Sequence, residues 1–180
     1  MKNFDRKRLV GSWQLQRWFI TYEDGSVTEP LGPGATGLLV YTPDGWMSAA
    51  MMAAGRPRLS RGNPRAAPES ERAAAFDSFF GYCCRWHIVR QSVAHHVTIS
   101  HNPALVGTVQ TRRIQMRGRT LTLSAEEVVP GGMRVHRLQW RPAQAHESAR
   151  GALRSKPAGA ASKQTVKKAA GGKMAVRKAK

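Results

Sequence analysis

Short apolar or alternating segments, each separated from the next by a turn signal, constrain this chain more than any other feature. The clearest signal is Thr42-Pro43-Asp44-Gly45, where proline presets φ, the aspartate side chain can bond nearby backbone and glycine accepts a positive φ. Apolar residues run up to this turn over 36–41 and return after it over 46–52. The pattern predicts two antiparallel strands joined by the turn.

The same spacing recurs along most of the chain. The first strand is long, and its apolar alternation changes face near Arg17, which predicts a bulge or a strong bend. Turns this close together favour an antiparallel meander over βαβ units. The fold class is therefore predicted to be all-β, an antiparallel barrel of about eight strands, a number at which a closed barrel can hold one small ligand. The remaining predicted strands are 82–89, 93–100, 108–116, 120–128 and 133–141.

Two features mark the predicted ends of this barrel. Gly11-Ser12-Trp13 begins the first strand. Glycine has no Cβ, so the chain can approach the barrel floor closely, and the tryptophan side chain closes that floor. Pro68 begins a short helix with acidic residues in its first turn, and Gly81 is expected to stop it. We expect the helix to lie over an open end. Its helical spacing includes Ala73, Ala74, Phe76, Asp77, Phe79 and Phe80.

The positive charge is concentrated toward one end of the chain. Residues 1–144 hold 19 basic and 10 acidic residues, whereas residues 145–180 hold 10 basic residues and one acidic residue, so each part carries +9 of the formal +18. The last thirty residues are mostly Ala, Gly, Lys and Arg, which bury too little to offset their ordering entropy. We expect a lead-in at 1–8, a barrel domain at 9–144 and a disordered basic tail at 145–180.

Neither a disulfide framework nor a membrane span is visible. The two cysteines, Cys83 and Cys84, are adjacent, and neighbouring cysteines rarely bridge. No segment is long and apolar enough to cross a bilayer, and the first residues carry no apolar run or small-residue cleavage site. These observations predict a cytoplasmic protein.

Several segments, in their order and spacing, resemble a known group. The chain is similar over residues 9–141 to the bacterial and fungal lipocalin-like domain family, and this resemblance implies a β-barrel with one helix and a small-molecule pocket. It implies no settled activity. Arg85, Trp86, His87 and Arg113 depart from the family pattern, and the basic tail has no counterpart in it. The resemblance rests mainly on Leu9-Val10-Gly11-Ser12-Trp13, Tyr41-Thr42-Pro43-Asp44-Gly45 followed by Met47-Ser48-Ala49, Ala75-Phe76-Asp77-Ser78-Phe79, His95-His96-Val97 and His136-Arg137-Leu138-Gln139-Trp140.

A ligand pocket in such a barrel would combine aromatic and methionine walls with a few polar contacts. Alternation along 93–100 places His95 in phase with the valines, pointing inward, and His96 outward. The candidate ligand-binding residues are Tyr41, Trp46, Met47, Met51, Phe76, Phe79, Trp86, His95, Val97, Arg112, Ile114 and Trp140.

Two residues are candidates for acid–base chemistry. His95 has three interpretations: a buried histidine bonded to a wall neighbour, a polar anchor for a ligand, or a general base. Asp77, flanked by Phe76 and Phe79, would lie near a pocket mouth as an acid or base, or on the solvated face of the helix. His87 and His96 would face each other across a hairpin, but no third ligand stands at a recognisable spacing, so we expect no metal and no other cofactor.

Arg112 also has two interpretations. Its phase with Ile114 and Met116 points it inward, either packed against Trp13 by a cation–π contact or free to clamp the carboxylate of an acidic ligand. Arg141 is a rival for the place against Trp13. Gly11, Trp13 and Arg141 are accordingly taken as structural residues of the barrel floor.

Three functions are compatible with this pattern. The first is binding of a small hydrophobic or amphipathic molecule in the barrel. The second is an enzyme that cyclises, isomerises or hydrates a polyketide- or terpenoid-like substrate by acid–base chemistry. The third is nonspecific association with nucleic acid, in which basic residues of the tail contact phosphates. Those residues are Lys163, Lys167, Lys168, Lys173, Arg177, Lys178 and Lys180.

Overall fold

Antiparallel strands make up most of the fold in the computed structural model, which describes residues 3–130 and 132–144. A helix α1, Glu69–Asp77, lies between the fourth and fifth strands, and short 3₁₀ helices occur at Arg6–Arg8, Pro64–Ala66 and Pro103–Leu105. The strands are β1 (Gly11–Tyr22), β2 (Val27–Thr28), β3 (Thr36–Tyr41), β4 (Trp46–Met52), β5 (Phe79–Val89), β6 (Ser92–Ser100), β7 (Val109–Arg117), β8 (Thr120–Val129) and β9 (Gly132–Pro142).

Eight of these strands close into a barrel, which confirms the predicted fold class. Strands β3 to β9 pair in chain order, and β1 pairs with β3 on one side and β9 on the other. Near one end of the seam between β1 and β9, Trp140 stands opposite Leu15 of β1, and on its other side it stands opposite Leu121 of β8. The two-residue strand β2 adds to the edge of β1 and was not predicted.

The turn and the bulge predicted from the sequence are both present. Gly45 takes φ +92°, and the Trp46 amide donates to the Thr42 hydroxyl over 3.0 Å. The register of β1 against β9 shifts between Leu15 and Arg17, so the buried positions before and after the shift fall in different phase. The bulge lets one strand supply apolar side chains to two levels of the barrel.

The floor of the barrel is built at the start of β1. The Trp13 indole N–H donates to the Leu9 carbonyl over 2.8 Å, and both side chains are buried. The 3₁₀ helix before Leu9 brings the Arg6 guanidinium to 4.6 Å from the Trp86 ring centroid. Gly11 takes φ +133°, and a Cβ there would meet nothing within 4 Å. Glycine is thus required at this position by the positive φ. A different reason, the close approach of the chain to the barrel floor, was expected from the sequence.

The helix ends earlier than predicted. Helix α1 stops at Asp77, where the Ser78 hydroxyl bonds back to the Ala74 carbonyl over 2.7 Å. Phe79 and Phe80, which the helical spacing included, instead open β5 and pair with Met52 and Met51 of β4. Cross-strand pairing therefore overrode the local helical pattern. Within residues 3–130 and 132–144, no helix has both the length and the apolar character needed to cross a membrane.

Candidate functional site

A cavity of about 500 Å³ lies inside the barrel, above the packed floor. Its exposed rim residues, Asn102 and Glu126 among them, place its mouth at the end of the barrel where β5 begins and β6 ends. This volume is in the range of cavities that hold small organic ligands. Its apolar lining consists of Trp18, Leu39, Met47, Ala49, Met51, Phe80, Leu105, Leu123, Ala125, Leu138 and Trp140.

The polar lining comes mostly from strands β5, β7, β8 and β9. Gln110 and Arg112 are neighbours on the inner face of β7, and Tyr82 faces them from β5. The Arg112 guanidinium donates to the Thr111 carbonyl over 3.1 Å and reaches the Gln110 amide oxygen at 3.4 Å. The ion pairs among the described residues do not include Arg112. A positive charge without an acidic partner thus lines the cavity.

Tyr82 belongs to a buried group of three rings, with His95 and Tyr41 behind it. His95 is 0% exposed, and each ring nitrogen is 2.8 Å from a tyrosine hydroxyl: Nε2 from Tyr41 and Nδ1 from Tyr82. Burial, and after it the charge of Arg112, lowers the pKa of His95 to about 3, so its ring is neutral at pH 7. Burial raises the pKa of Tyr82 to about 12 and that of Tyr41 well above its usual value.

The direction of these hydrogen bonds follows from counting protons. A neutral imidazole has one N–H donor and one acceptor nitrogen. Tyr41 is buried, and its only described partner is His95, so its proton is satisfied only if it donates to Nε2. We therefore assign the proton to Nδ1, which donates to the Tyr82 oxygen. The hydroxyl proton of Tyr82 is then free to be donated into the cavity that Tyr82 lines.

Two tryptophans of the cavity wall also carry unused donors. The indole nitrogens of Trp18 and Trp140 are buried and have no hydrogen-bond partner among the described residues. Buried N–H groups without partners are uncommon, because each costs about 1–3 kcal/mol. Both nitrogens are themselves buried, so they are not exposed to the cavity although their side chains line it. Trp86 has a similarly unpartnered nitrogen but lies in the floor, outside the cavity lining.

The mouth carries a small ion-pair network. The Glu127 carboxylate accepts from Arg134 Nε at 2.9 Å and lies 3.0 Å from His136 Nε2. The hydrogen bond from Arg134 is the main cause that holds the pKa of Glu127 below its ordinary value. Glu127 is thus already balanced by neighbouring groups at the rim.

The residues proposed as ligand contacts occupy five different places. Met47, Met51, Arg112 and Trp140 line the cavity. Tyr41 and His95 lie one layer behind it. Trp86, Val97 and Ile114 are buried in the barrel core without lining the cavity, and Trp46 lies on the outer surface with the Arg85 guanidinium 3.9 Å from its ring centroid. Phe76 and Phe79 line a shallow cleft beside α1, which adjoins the cavity and shares Trp18, Phe80 and Asn102 with it.

The proposed acid–base and structural residues are placed as follows. Asp77 is exposed in the cleft beside α1 and does not line the cavity. Both ring nitrogens of His95 are occupied by tyrosines. Arg141 is exposed and stands opposite Gln14 on β1. The cation–π contacts of the described residues do not include Trp13.

The remaining predictions concern cysteines, metals and the tail. Cys83 and Cys84 are free thiols. The rings of His87 and His96 stack with centroids 4.9 Å apart, and within the described ranges no group of three or more His, Cys, Asp or Glu side chains is arranged to hold a metal. The proposed nucleic-acid contacts, from Lys163 to Lys180, lie outside the described residues.

Sequence reasoning missed Trp18, Tyr82 and His136 as cavity residues. The signal for Trp18 was present, because after the bulge it shares phase with Ile20. Tyr82 shares phase with the buried Cys84 and Trp86, which also predicts an inward side chain. No local pattern distinguishes His136, since every residue from Arg134 to Gln139 is partly buried.

A family model described as a lipocalin-like domain matches residues 10–142, more than half of the chain. A search of curated proteins found no match, and neither did a search of solved structures. The matched segment ends with β9, so it covers nearly all of the barrel and the cavity within it.

Proposed function

We propose that this chain, which belongs to the lipocalin-like domain family, binds a small hydrophobic or amphipathic molecule inside its barrel. The observation that carries the proposal is the open cavity of about 500 Å³ with an apolar wall and a few convergent polar groups. Buried apolar area contributes roughly 25 cal/mol per Å² before the costs of association, so the wall supplies most of the affinity.

Binding is proposed ahead of catalysis because of where the acid–base candidates lie. His95 is neutral, has both nitrogens occupied and does not line the cavity. Asp77 is exposed in a different cleft. A bound molecule would therefore contact neither of the two predicted acid–base residues, whereas the apolar wall and the polar groups of β7 would orient it.

A fluorescent probe tests the proposal directly. N-phenyl-1-naphthylamine is neutral, apolar and brightens when it leaves water. The full chain should enhance its fluorescence with a saturable binding curve. Native mass spectrometry of freshly purified protein would reveal a natural ligand that co-purifies.

A matched pair of variants separates the cavity from the outer surface. Ala49 lines the cavity, whereas Ala50, the next residue of β4, points outward. Ala49→Phe should fill the cavity and weaken probe binding at least tenfold, and Ala50→Phe should leave it unchanged. Equal probe binding by the two variants, or no binding by the wild type, would refute the proposal.

A further inference from the structure

We infer that the ligand is an organic acid, with an apolar body and a carboxylate or comparable anionic group bound beside Arg112. This inference rests on the proposed function, since it assigns the chemistry of the ligand's polar end. It is carried by the unbalanced charge of Arg112 and by the free hydroxyl proton of Tyr82, whose side chain lines the same cavity.

The first observation is that Arg112 lacks a counter-charge. Its side chain lines the cavity and is half-buried, and within the described part of the chain it bonds only to the Thr111 carbonyl and the Gln110 amide oxygen. A guanidinium is always charged and carries five N–H donors, so two neutral acceptors leave much of its capacity unused. Removing a charge from water without a partner costs free energy, which an anion in the cavity would offset.

The second observation is a free donor on a neighbouring side chain of the wall. The hydrogen-bond assignment leaves the Tyr82 hydroxyl proton free, and Tyr82 lines the same cavity as Arg112. Anionic oxygens accept several hydrogen bonds at once and form stronger ones than neutral acceptors do.

The acidic groups of the wall do not reverse this preference. Glu127 is already paired with Arg134 and His136, and Glu126 is exposed at the mouth, where water and salt screen its charge. His136, the remaining titratable group, faces Glu127. His95 is neutral at pH 7, so Arg112 is the half-buried charge of the wall that has no ionic partner among the described residues.

The test compares three competitors with the same chain and different heads. Decanoic acid, decan-1-ol and decylamine would each displace N-phenyl-1-naphthylamine from the full chain at pH 7. Decanoic acid should displace the probe at a concentration at least tenfold lower than decan-1-ol, and decylamine should be the weakest. Arg112→Gln should bring the acid and the alcohol to nearly equal potency. Arg113→Gln, the adjacent outward-facing residue, should leave the tenfold difference in place.

Each outcome is decisive. Equal potency of acid and alcohol in the wild type, or a preference for decylamine, would overturn the inference while probe binding kept the proposed function. A tenfold preference that survives Arg112→Gln would also overturn it. If that variant does not fold, the wild-type ranking and an Arg112→Lys variant, expected to keep part of the preference, decide the matter. Failure of the probe itself to bind would count against the proposed function.

Discussion

Acidification from pH 7 to pH 5 should destabilise this protein through His95. The side chain is 0% exposed, and burial followed by the charge of Arg112 lowers its pKa to about 3 from an ordinary value of 6.5. Between these two pH values the histidine binds a proton in the unfolded chain but not in the folded chain. The free energy of unfolding therefore falls as the pH drops through 6.5 and continues to fall toward pH 3.

The size of the effect follows from the two pKa values. Each pH unit in this window removes about 1.4 kcal/mol, so the change from pH 7 to pH 5 removes about 2 kcal/mol. The lowered carboxyl pKa values of Asp24, Asp44 and Glu127 stabilise the fold above their ordinary range near pH 4, and that contribution is lost only below it. Their effect is thus nearly constant between pH 7 and pH 5. Burial also lowers the pKa of His136, but this residue is present in every variant compared, so its effect cancels in the comparison.

Urea unfolding followed by tryptophan fluorescence at the two pH values measures the loss. Between pH 7 and pH 5, the unfolding free energy of the wild type should fall by about 2 kcal/mol more than that of His95→Gln. The control variant His96→Gln, which changes the adjacent outward-facing residue, should behave like the wild type. An equal loss in His95→Gln would refute the reasoning. Nitrogen NMR of the wild-type ring gives a second reading that needs no variant. The His95 ring should remain neutral with its proton on Nδ1 at pH 5, and a protonated ring there would contradict the argument.

Three further predictions concern stability and reactivity. Gly37→Ala should lower the unfolding free energy by about 1–3 kcal/mol in urea titrations, because its Cβ would come within 2.8 Å of a backbone carbonyl; Gly62→Ala, with open space around it, should change little. Trp13→Phe should cost about 1–3 kcal/mol in the same assay, since it leaves a buried carbonyl without its donor, and an unchanged midpoint would disprove that role. Iodoacetamide at pH 8 should modify Cys83 alone in the native protein, because Cys84 is buried and its thiol pKa is raised to about 12; two adducts by mass spectrometry would contradict this.

The sequence predicted the barrel because its signals are local. Alternation has a period of two, so a short window shows which side chains of a strand share a face. The bulge in β1 was visible as a change of phase near Arg17, and the turn at Gly45 as a residue that accepts positive φ. Helix α1 was predicted to start where it does, but its end was not, since Phe79 and Phe80 fit either state until β4 pairs with them.

The cavity could be predicted only in part, because it depends on distances along the barrel axis. Alternation placed His95 and Arg112 inside, yet only the stagger of the strands decides that His95 lies behind Tyr82 and Arg112 at the cavity. Whether an inward side chain of one strand is packed or lines the cavity depends on the side chains that the seven other strands place at the same level. The sequence therefore determined which residues face inward, and the closed tertiary structure decided which of them meet in a packed floor and which surround the cavity.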